Sequence, residues 1–228
     1  MTKYAIIVAG GAGLRMGGGL PKQFLLLHDR PVLWHSIRAF FEAFADISII
    51  LVLPEAHFSP GQAIIESSDF PAQIRLTKGG DTRFQSVKNG LAMVPEGTLV
   101  GIHDAVRCLA TPALIQRCYM GAMQHGNAIP AIGAVDTIRI ETSTGNRMID
   151  RNQVKIIQTP QVFLSSQVKQ AYMQEYRNSF TDDSSVVESI GQKIHLVEGE
   201  TTNIKITRPV DLLVAERIIE ERKGVSNS

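Results

Sequence analysis

The stretch that most constrains this chain is a glycine-rich loop set directly behind an N-terminal strand. Tyr4-Ala5-Ile6-Ile7-Val8 is a short, apolar, β-branched run, which predicts a buried strand. It passes into Ala9-Gly10-Gly11-Ala12-Gly13-Leu14-Arg15-Met16-Gly17-Gly18-Gly19-Leu20-Pro21-Lys22-Gln23. Glycine lacks a Cβ, so such a loop can turn sharply and bring backbone N–H groups close to an anion. Arg15 and Lys22 add two cations to those donors. Many glycine loops serve only as turns. Glycines joined to Arg15 and Pro21-Lys22, straight after a first strand, point instead to a triphosphate cradle.

Two better-known glycine loops do not fit. The Walker pattern needs Gly-Lys followed by Ser or Thr, whereas Lys22 follows Pro21 and precedes Gln23. The dinucleotide fingerprint G-x-G-x-x-G fails at Met16, and only a version one residue longer, ending at Gly17, keeps a nicotinamide-dependent oxidoreductase open. That reading gives Arg15 and Lys22 no task.

Past the loop, Val32, Leu33, Ile37, Phe40 and Phe41 recur at helical spacing over about residues 31–45. Residues 47–53 read as a second strand stopped by Pro54, residues 57–67 as a helix, and residues 73–76 as a short strand. Gly79-Gly80-Asp81-Thr82-Arg83 then opens a helix over about 84–93. Its N–H groups form a second ligand edge, or a turn capped by Asp81 or Thr82. Strand alternating with helix argues for a parallel sheet with helices on its faces.

The strand expected at residues 98–103 runs into Asp104-Ala105-Val106-Arg107. A carboxylate at the carboxyl end of a central parallel strand stands where open α/β sheets bind ligands. Magnesium takes one or two carboxylates and completes its octahedron with phosphate oxygens and water, so Asp104 is the metal candidate. His103 reads as a packed or hydrogen-bonded strand end. A helix at 112–125 and a strand at 127–133 follow. Thr137-Ile138-Arg139-Ile140-Glu141 then alternates, with a turn expected at Gly145-Asn146, and this breaks the α/β rhythm with a hairpin. A lone hairpin is marginal in water, so a second subunit is its expected packing partner. Residues 154–158 return to the sheet, a helix is expected at 166–176, and Thr181-Asp182-Asp183-Ser184-Ser185 carries helix-capping chemistry. Residues 193–197 and 203–206 read as strands. A last helix begins at Pro209 and is expected to fray after about Arg222.

The formal net charge of +1 gives no reason to expect nucleic acid or an anionic membrane as partner. No apolar run approaches the roughly 18 residues of a membrane span, and a strand beginning within a few residues leaves no room for a signal peptide. Cys108 and Cys118 match no zinc spacing and fit reduced thiols in a cytoplasmic protein.

With the loop, Asp104, the hairpin and Lys205 in view, the chain resembles the 2-C-methyl-D-erythritol 4-phosphate cytidylyltransferase family over nearly its whole length. The landmarks are the glycine loop with Arg15-Met16, Pro21-Lys22-Gln23, Gly79-Gly80-Asp81 and His103-Asp104-Ala105-Val106-Arg107. Val135-Asp136-Thr137, Asp150-Arg151-Asn152, Thr159-Pro160-Gln161, Thr181-Asp182, Val197-Glu198-Gly199 and Asn203-Ile204-Lys205-Ile206-Thr207-Arg208-Pro209 follow in order. The resemblance implies a single α/β domain over residues 1–228. Its Rossmann-like, mostly parallel sheet would be flanked by helices and carry a protruding β-hairpin arm at about 137–153.

It also implies a reaction: a phosphate oxygen of the polyol phosphate attacks the α-phosphorus of CTP, and pyrophosphate leaves. Arg15, Lys22 and Lys205 would be catalytic, and Asp104 would hold Mg2+. Ala9, Gly10, Gly11, Gly80, Asp81, Ser86 and Ala105 would receive the nucleoside. Arg107, Asp136, Thr137, Arg151, Thr159 and Lys205 would receive methylerythritol phosphate, with the arm-side groups coming from a neighbouring subunit of a homodimer. Cys108 stands where the family commonly has proline after His-Asp-Ala-x-Arg, which frees a φ angle beside Arg107. Ribitol 5-phosphate is the alternative acceptor, since the motifs of its cytidylyltransferases overlap heavily. Another sugar nucleotidyltransferase would share the glycine loop alone. A non-catalytic nucleotide binder would have no need of Arg15, Lys22, Asp104 and Lys205 together.

Overall fold

The computed structural model describes residues 1–10 and 20–225. Strand β1 (Lys3–Val8) leads the chain. A 3-10 turn at Lys22–Phe24 and the short pair β2 (Leu26–Leu27) and β3 (Arg30–Pro31) precede helix α1 (Val32–Ala43). The expected alternation continues through β4 (Ser48–Leu53), α2 (Phe58–Glu66), β5 (Ile74–Lys78), α3 (Arg83–Leu91), β6 (Leu99–Asp104) and α4 (Pro112–His125).

Local chemistry sets the helix ends. Thr82 and Thr111 cap α3 and α4, accepting from the backbone N–H of Gln85 (3.0 Å) and Leu114 (3.1 Å). Pro112 occupies the first turn of α4, where a missing N–H costs nothing. Gly126 ends that helix at φ 87°, a left-handed conformation that favours glycine. The chain then forms β7 (Asn127–Gly133), β8 (Ile138–Thr142), β9 (Gly145–Ile149), β10 (Lys155–Ile157) and β11 (Gln161–Leu164). It finishes with α5 (Ser165–Ala171), α6 (Asp183–Glu188), β12 (Leu196–Glu198) and α7 (Pro209–Val225).

The main sheet has the order β10-β7-β11-β6-β1-β4-β5, with β12 also paired to β7. Strands β6, β1, β4 and β5 are mutually parallel, while β11 runs antiparallel to both β6 and β7. Because successive strand residues point to opposite faces, β1 feeds two cores. Ala5 and Ile7 join Leu33 and Phe40 of α1 and Leu114 and Tyr119 of α4 on one side. Ile6 joins Val87 and Leu91 of α3, with Val168 and Val187, on the other. A smaller cluster of Leu27, Val32, Cys108, Leu109, Ile206 and Ala215 seats α7. Strands β8 and β9 form their own two-stranded sheet, so the expected arm is present.

Four local readings change. The segment after Thr159-Pro160 was expected to lead directly to a helix, but Gln161–Leu164 first forms β11 between β6 and β7. Four residues are too few to display a period, and buried Val162 and Phe163 hold the strand in place. The strand expected at 203–206 is irregular and is tied to the turn after β6 by the Ile206 N–H donating to the Val106 carbonyl (2.9 Å). Gly145 and Asn146 open β9 rather than forming the turn, which Ser143 and Thr144 make; Gly145 enters the strand at φ 143°. Helix α7 continues past Arg222 to Val225.

Candidate active site

The carboxyl ends of β1, β4 and β6 meet at one place. Val8 lies in register with Val52 and with Asp104. The ladder continues one step further, as Ala9 N–H donates to Val52 (2.9 Å) and Ala105 N–H to Val8 (3.1 Å). Gly79 N–H reaches the Leu53 carbonyl at 2.8 Å, which brings the second glycine turn beside the first. Between them opens a cleft of about 250 Å³, with Ala9, Gly10, Lys22, Asp104 and Lys205 on its wall. This is the position at which an open α/β sheet binds its ligand.

Gln23 fixes the returning end of the loop: its buried amide Nε2 donates to the Ala9 carbonyl at 2.7 Å. Ser86, in the first turn of α3, accepts from Gly80 N–H (3.1 Å) and donates to the Thr82 carbonyl (3.0 Å). Gly80, Asp81 and Ser86 therefore face the cleft together. Ala105 is buried, and its carbonyl accepts from Ser36 at 2.6 Å.

Asp104 is the electrostatic centre. Its Oδ1 accepts from Arg83 Nε (3.1 Å) and its Oδ2 from Lys205 Nζ (2.8 Å). Burial by itself would raise the pKa of this carboxyl. Arg83, Lys205 and Arg107 outweigh burial and hold the group well below the usual carboxylate range. Arg83 in turn reaches Asp183 with both terminal nitrogens, at 2.9 and 2.7 Å. The Asp183 side chain is fully buried and also accepts from the Tyr172 hydroxyl at 2.6 Å. Burial disfavours the Arg83 cation, but the two carboxylates override it and raise its pKa well above the ordinary value.

The Asp104 backbone N–H donates to Thr159 Oγ1 (3.1 Å), which lies 3.1 Å from His103 Nδ1. Burial drops the His103 pKa to about 4, so the ring is neutral at pH 7 and the hydroxyl can donate to it. His103 is the packed, hydrogen-bonded strand end expected from its position. Thr159 is buried behind Asp104.

Other predicted residues stand apart from the cleft wall. Arg107 uses its guanidinium to hold the carbonyls of Asn203 (2.9 Å) and Ile157 (3.4 Å), stapling the Lys205 segment to the sheet. Asp136, Thr137 and Arg151 are exposed at the foot of the arm, where Arg151 donates to the Val135 carbonyl (2.9 Å). Arg15 and Gly11 lie outside the described residues.

Arg83 and Asp183 lie inside sequence motifs that do not by themselves mark either as a site residue. The signal available was an arginine opening a helix beside a glycine turn, which a solvated helix start shares.

Among the described residues no group of three or more His, Cys, Asp or Glu could hold a metal ion. The donor set is the Asp104 carboxylate, with Asp81 on the same cleft. That fits a magnesium ion whose remaining ligands are substrate oxygens and water.

The family model for 2-C-methyl-D-erythritol 4-phosphate cytidylyltransferase matches residues 3–221. A protein of that name from Bacteroides thetaiotaomicron is 47% identical over 219 residues, covering 96% of this chain and 100% of the relative. One from Porphyromonas gingivalis is 43% identical, covering 95% and 97%. Among solved structures, 4-diphosphocytidyl-2C-methyl-D-erythritol synthase from Anaerococcus prevotii superposes with a TM-score of 0.82 at 29% identity, covering 96% of this chain and 98% of that one. The cytidylyltransferase from Thermus thermophilus gives a TM-score of 0.75 at 28% identity, covering 96% and 98%. The sheet, the cleft at its carboxyl edge and this full-length similarity agree: the chain belongs to the 2-C-methyl-D-erythritol 4-phosphate cytidylyltransferase family.

Proposed function

We propose that this chain transfers CMP from CTP to 2-C-methyl-D-erythritol 4-phosphate, releasing pyrophosphate, in isoprenoid precursor synthesis. The observation that carries the site assignment is the convergence of Gly10, Gly80, Lys22, Lys205 and Asp104 on one cleft at the carboxyl ends of β1 and β6. A substrate phosphate oxygen forms a bond to the α-phosphorus of CTP while the bond to the bridging oxygen breaks, and the electron pair leaves with pyrophosphate. Such transfer rests on positioning and on stabilising charge at the crowded phosphorus.

Lys22 and Arg15 grip the triphosphate from the loop side. Lys205 reaches it from the opposite side, exchanging its pairing with Asp104 for a phosphate oxygen. Asp104 would hold Mg2+, which when bound neutralises phosphate charge. The backbone of Ala9, Gly10 and Gly11, with Gly80, Asp81, Ser86 and Ala105, receives the nucleoside. Lys205 bounds the acceptor on one side, with Arg107 holding its segment and Thr159 supporting Asp104 from behind; Asp136, Thr137 and Arg151 of a second copy complete it, the arm forming the homodimer contact. Exposed Val135, Ile140 and Met148 on and beside the arm support that contact. Two free, buried cysteines support a cytoplasmic setting, and no helix among the described residues is long and apolar enough to cross a membrane.

The test is magnesium-dependent pyrophosphate release from CTP with methylerythritol phosphate and ribitol 5-phosphate run side by side. Release only with the first is expected. Preference for the second would overturn the acceptor, and release with neither would overturn the activity.

A further inference from the structure

The pairing behind Arg83 has no place in the reaction just described, and its construction calls for an account. Asp183 opens α6 with a side chain of zero exposure. A buried carboxylate paired with arginine is often no more stable than well-packed apolar residues in its place, so stability alone is a weak reason for it. The arrangement around it is rigid. The Tyr172 ring stacks on Phe84 with centroids 4.6 Å apart and an interplanar angle of 19°, which aims the phenol at Asp183 Oδ1. Arg83, next to Phe84 on α3, spends both Nη atoms on Asp183 and presents its remaining Nε to Asp104 Oδ1. A guanidinium has a fixed planar fork of donors, so holding two of them fixes the third.

The two oxygens of Asp104 are consequently unlike. Oδ1 is bound by Arg83, which is anchored from behind. Oδ2 is bound by Lys205, whose side chain is 44% exposed and sits in a segment without regular secondary structure. We propose that Asp183 and Tyr172 make Arg83 a positioning residue, which locks Oδ1 of Asp104 and leaves Oδ2 as the oxygen that exchanges partners when the cleft fills. The kinetic consequence rests on the cytidylyl-transfer reading; the tether itself does not.

Three variants test it: Asp183→Asn, which keeps shape and removes charge; Tyr172→Phe, which removes one hydrogen bond; and Arg83→Lys, which keeps charge and removes the fork. A displaced catalytic group can cost about a hundredfold in rate. We expect Asp183→Asn and Arg83→Lys to lower kcat at least tenfold per folded molecule, with KM for CTP changed less than about threefold, and Tyr172→Phe to follow in the same direction by less. A purely structural role would lower Tm and leave kcat per folded molecule unchanged. If Asp183→Asn does not fold, the other two carry the comparison.

An arginine Nε 1H–15N spectrum of the nucleotide-free protein reads the tether without turnover. One protected Nε signal, lost in Arg83→Lys and shifted or broadened in Asp183→Asn and Tyr172→Phe, is expected. Parent kcat in both Asp183→Asn and Tyr172→Phe, or an Nε signal unmoved in both, overturns the proposal. A parent protein silent toward CTP overturns the activity instead, and the spectrum still decides the tether.

Discussion

Replacing Lys205 with methionine should separate stability from catalysis at this site. The Lys205–Asp104 contact of 2.8 Å is short, but the lysine side chain is 44% exposed, so solvent screens the pair and about 1 kcal/mol or less of folding stability rests on it. Asp104 does not become an orphan in the variant, because Arg83 still holds Oδ1 at 3.1 Å. For a chain of this length about 1 kcal/mol corresponds to a Tm change of roughly 2–4 °C. Loss of one preorganised cation at a phosphoryl-transfer centre costs roughly a hundred- to thousandfold in kcat, or about 2.7–4 kcal/mol of transition-state stabilisation. Lys205→Met should therefore melt within about 4 °C of the parent while pyrophosphate release falls at least a hundredfold. Thermal unfolding followed by circular dichroism and a coupled pyrophosphate assay on the same preparation give both numbers. A Tm drop of more than about 8 °C with turnover retained would refute this and make Lys205 a structural counterion.

Lys22→Ala and Arg15→Ala should each lower turnover about a hundred- to thousandfold with the fold retained by circular dichroism; near-parent rates in both would remove the loop from the mechanism. Asp182→Ala deletes the capping box of α6, in which Asp182 accepts from Ser185 N–H (2.9 Å) and Gln161 (2.8 Å), and should cost about 1–2 kcal/mol in urea unfolding. Burial opposes ionisation of Asp182, but hydrogen bonds from Ser184, Gln161 and Ser185 prevail and lower its pKa. Its folded-state pKa lies below the unfolded one, so its contribution is full above about pH 4 and fades as pH falls. The gap between parent and Asp182→Ala should narrow on acidification; a gap that widens would contradict the assignment.

The elements most legible in the sequence are those whose local signals agree. β1, β4 and β6 are continuous apolar runs because both faces of the sheet are covered, and α4 announces itself with Thr111, Pro112 and Gly126. Asp104 was legible because it ends such a run. β11 was not, because its four residues follow a proline and owe their place to neighbours on both sides. The Arg83–Asp183 pair was hidden for a different reason. The partners lie 100 residues apart, and Asp183 sits beside a true helix cap, Asp182, in a run whose composition capping already explains. Arg107 shows the converse limit: an arginine in a ligand motif reads as a substrate group, yet its visible partners are the carbonyls of Asn203 and Ile157.

Asp104 also resolves a conflict in the design of the cleft. A site for a triphosphate must be positive, yet Arg83, Arg107 and Lys205 brought together without an anion would repel one another; all three act on Asp104 and lower its pKa. Asp104 serves as their resting counterion, and the same charge opposes an incoming phosphate when no metal offsets it. Asp104→Asn should then bind CTP more tightly than the parent in the presence of a chelator, although it turns over far more slowly with magnesium. A unit charge about 10 Å from a phosphate at an effective dielectric near 20 is worth about 1.7 kcal/mol, so the gain should be of the order of tenfold. Isothermal titration calorimetry in EDTA measures it, with circular dichroism to confirm that the variant is folded. Weaker CTP binding by folded Asp104→Asn under those conditions would mean that Asp104 organises the cations around the nucleotide rather than competing with it for them.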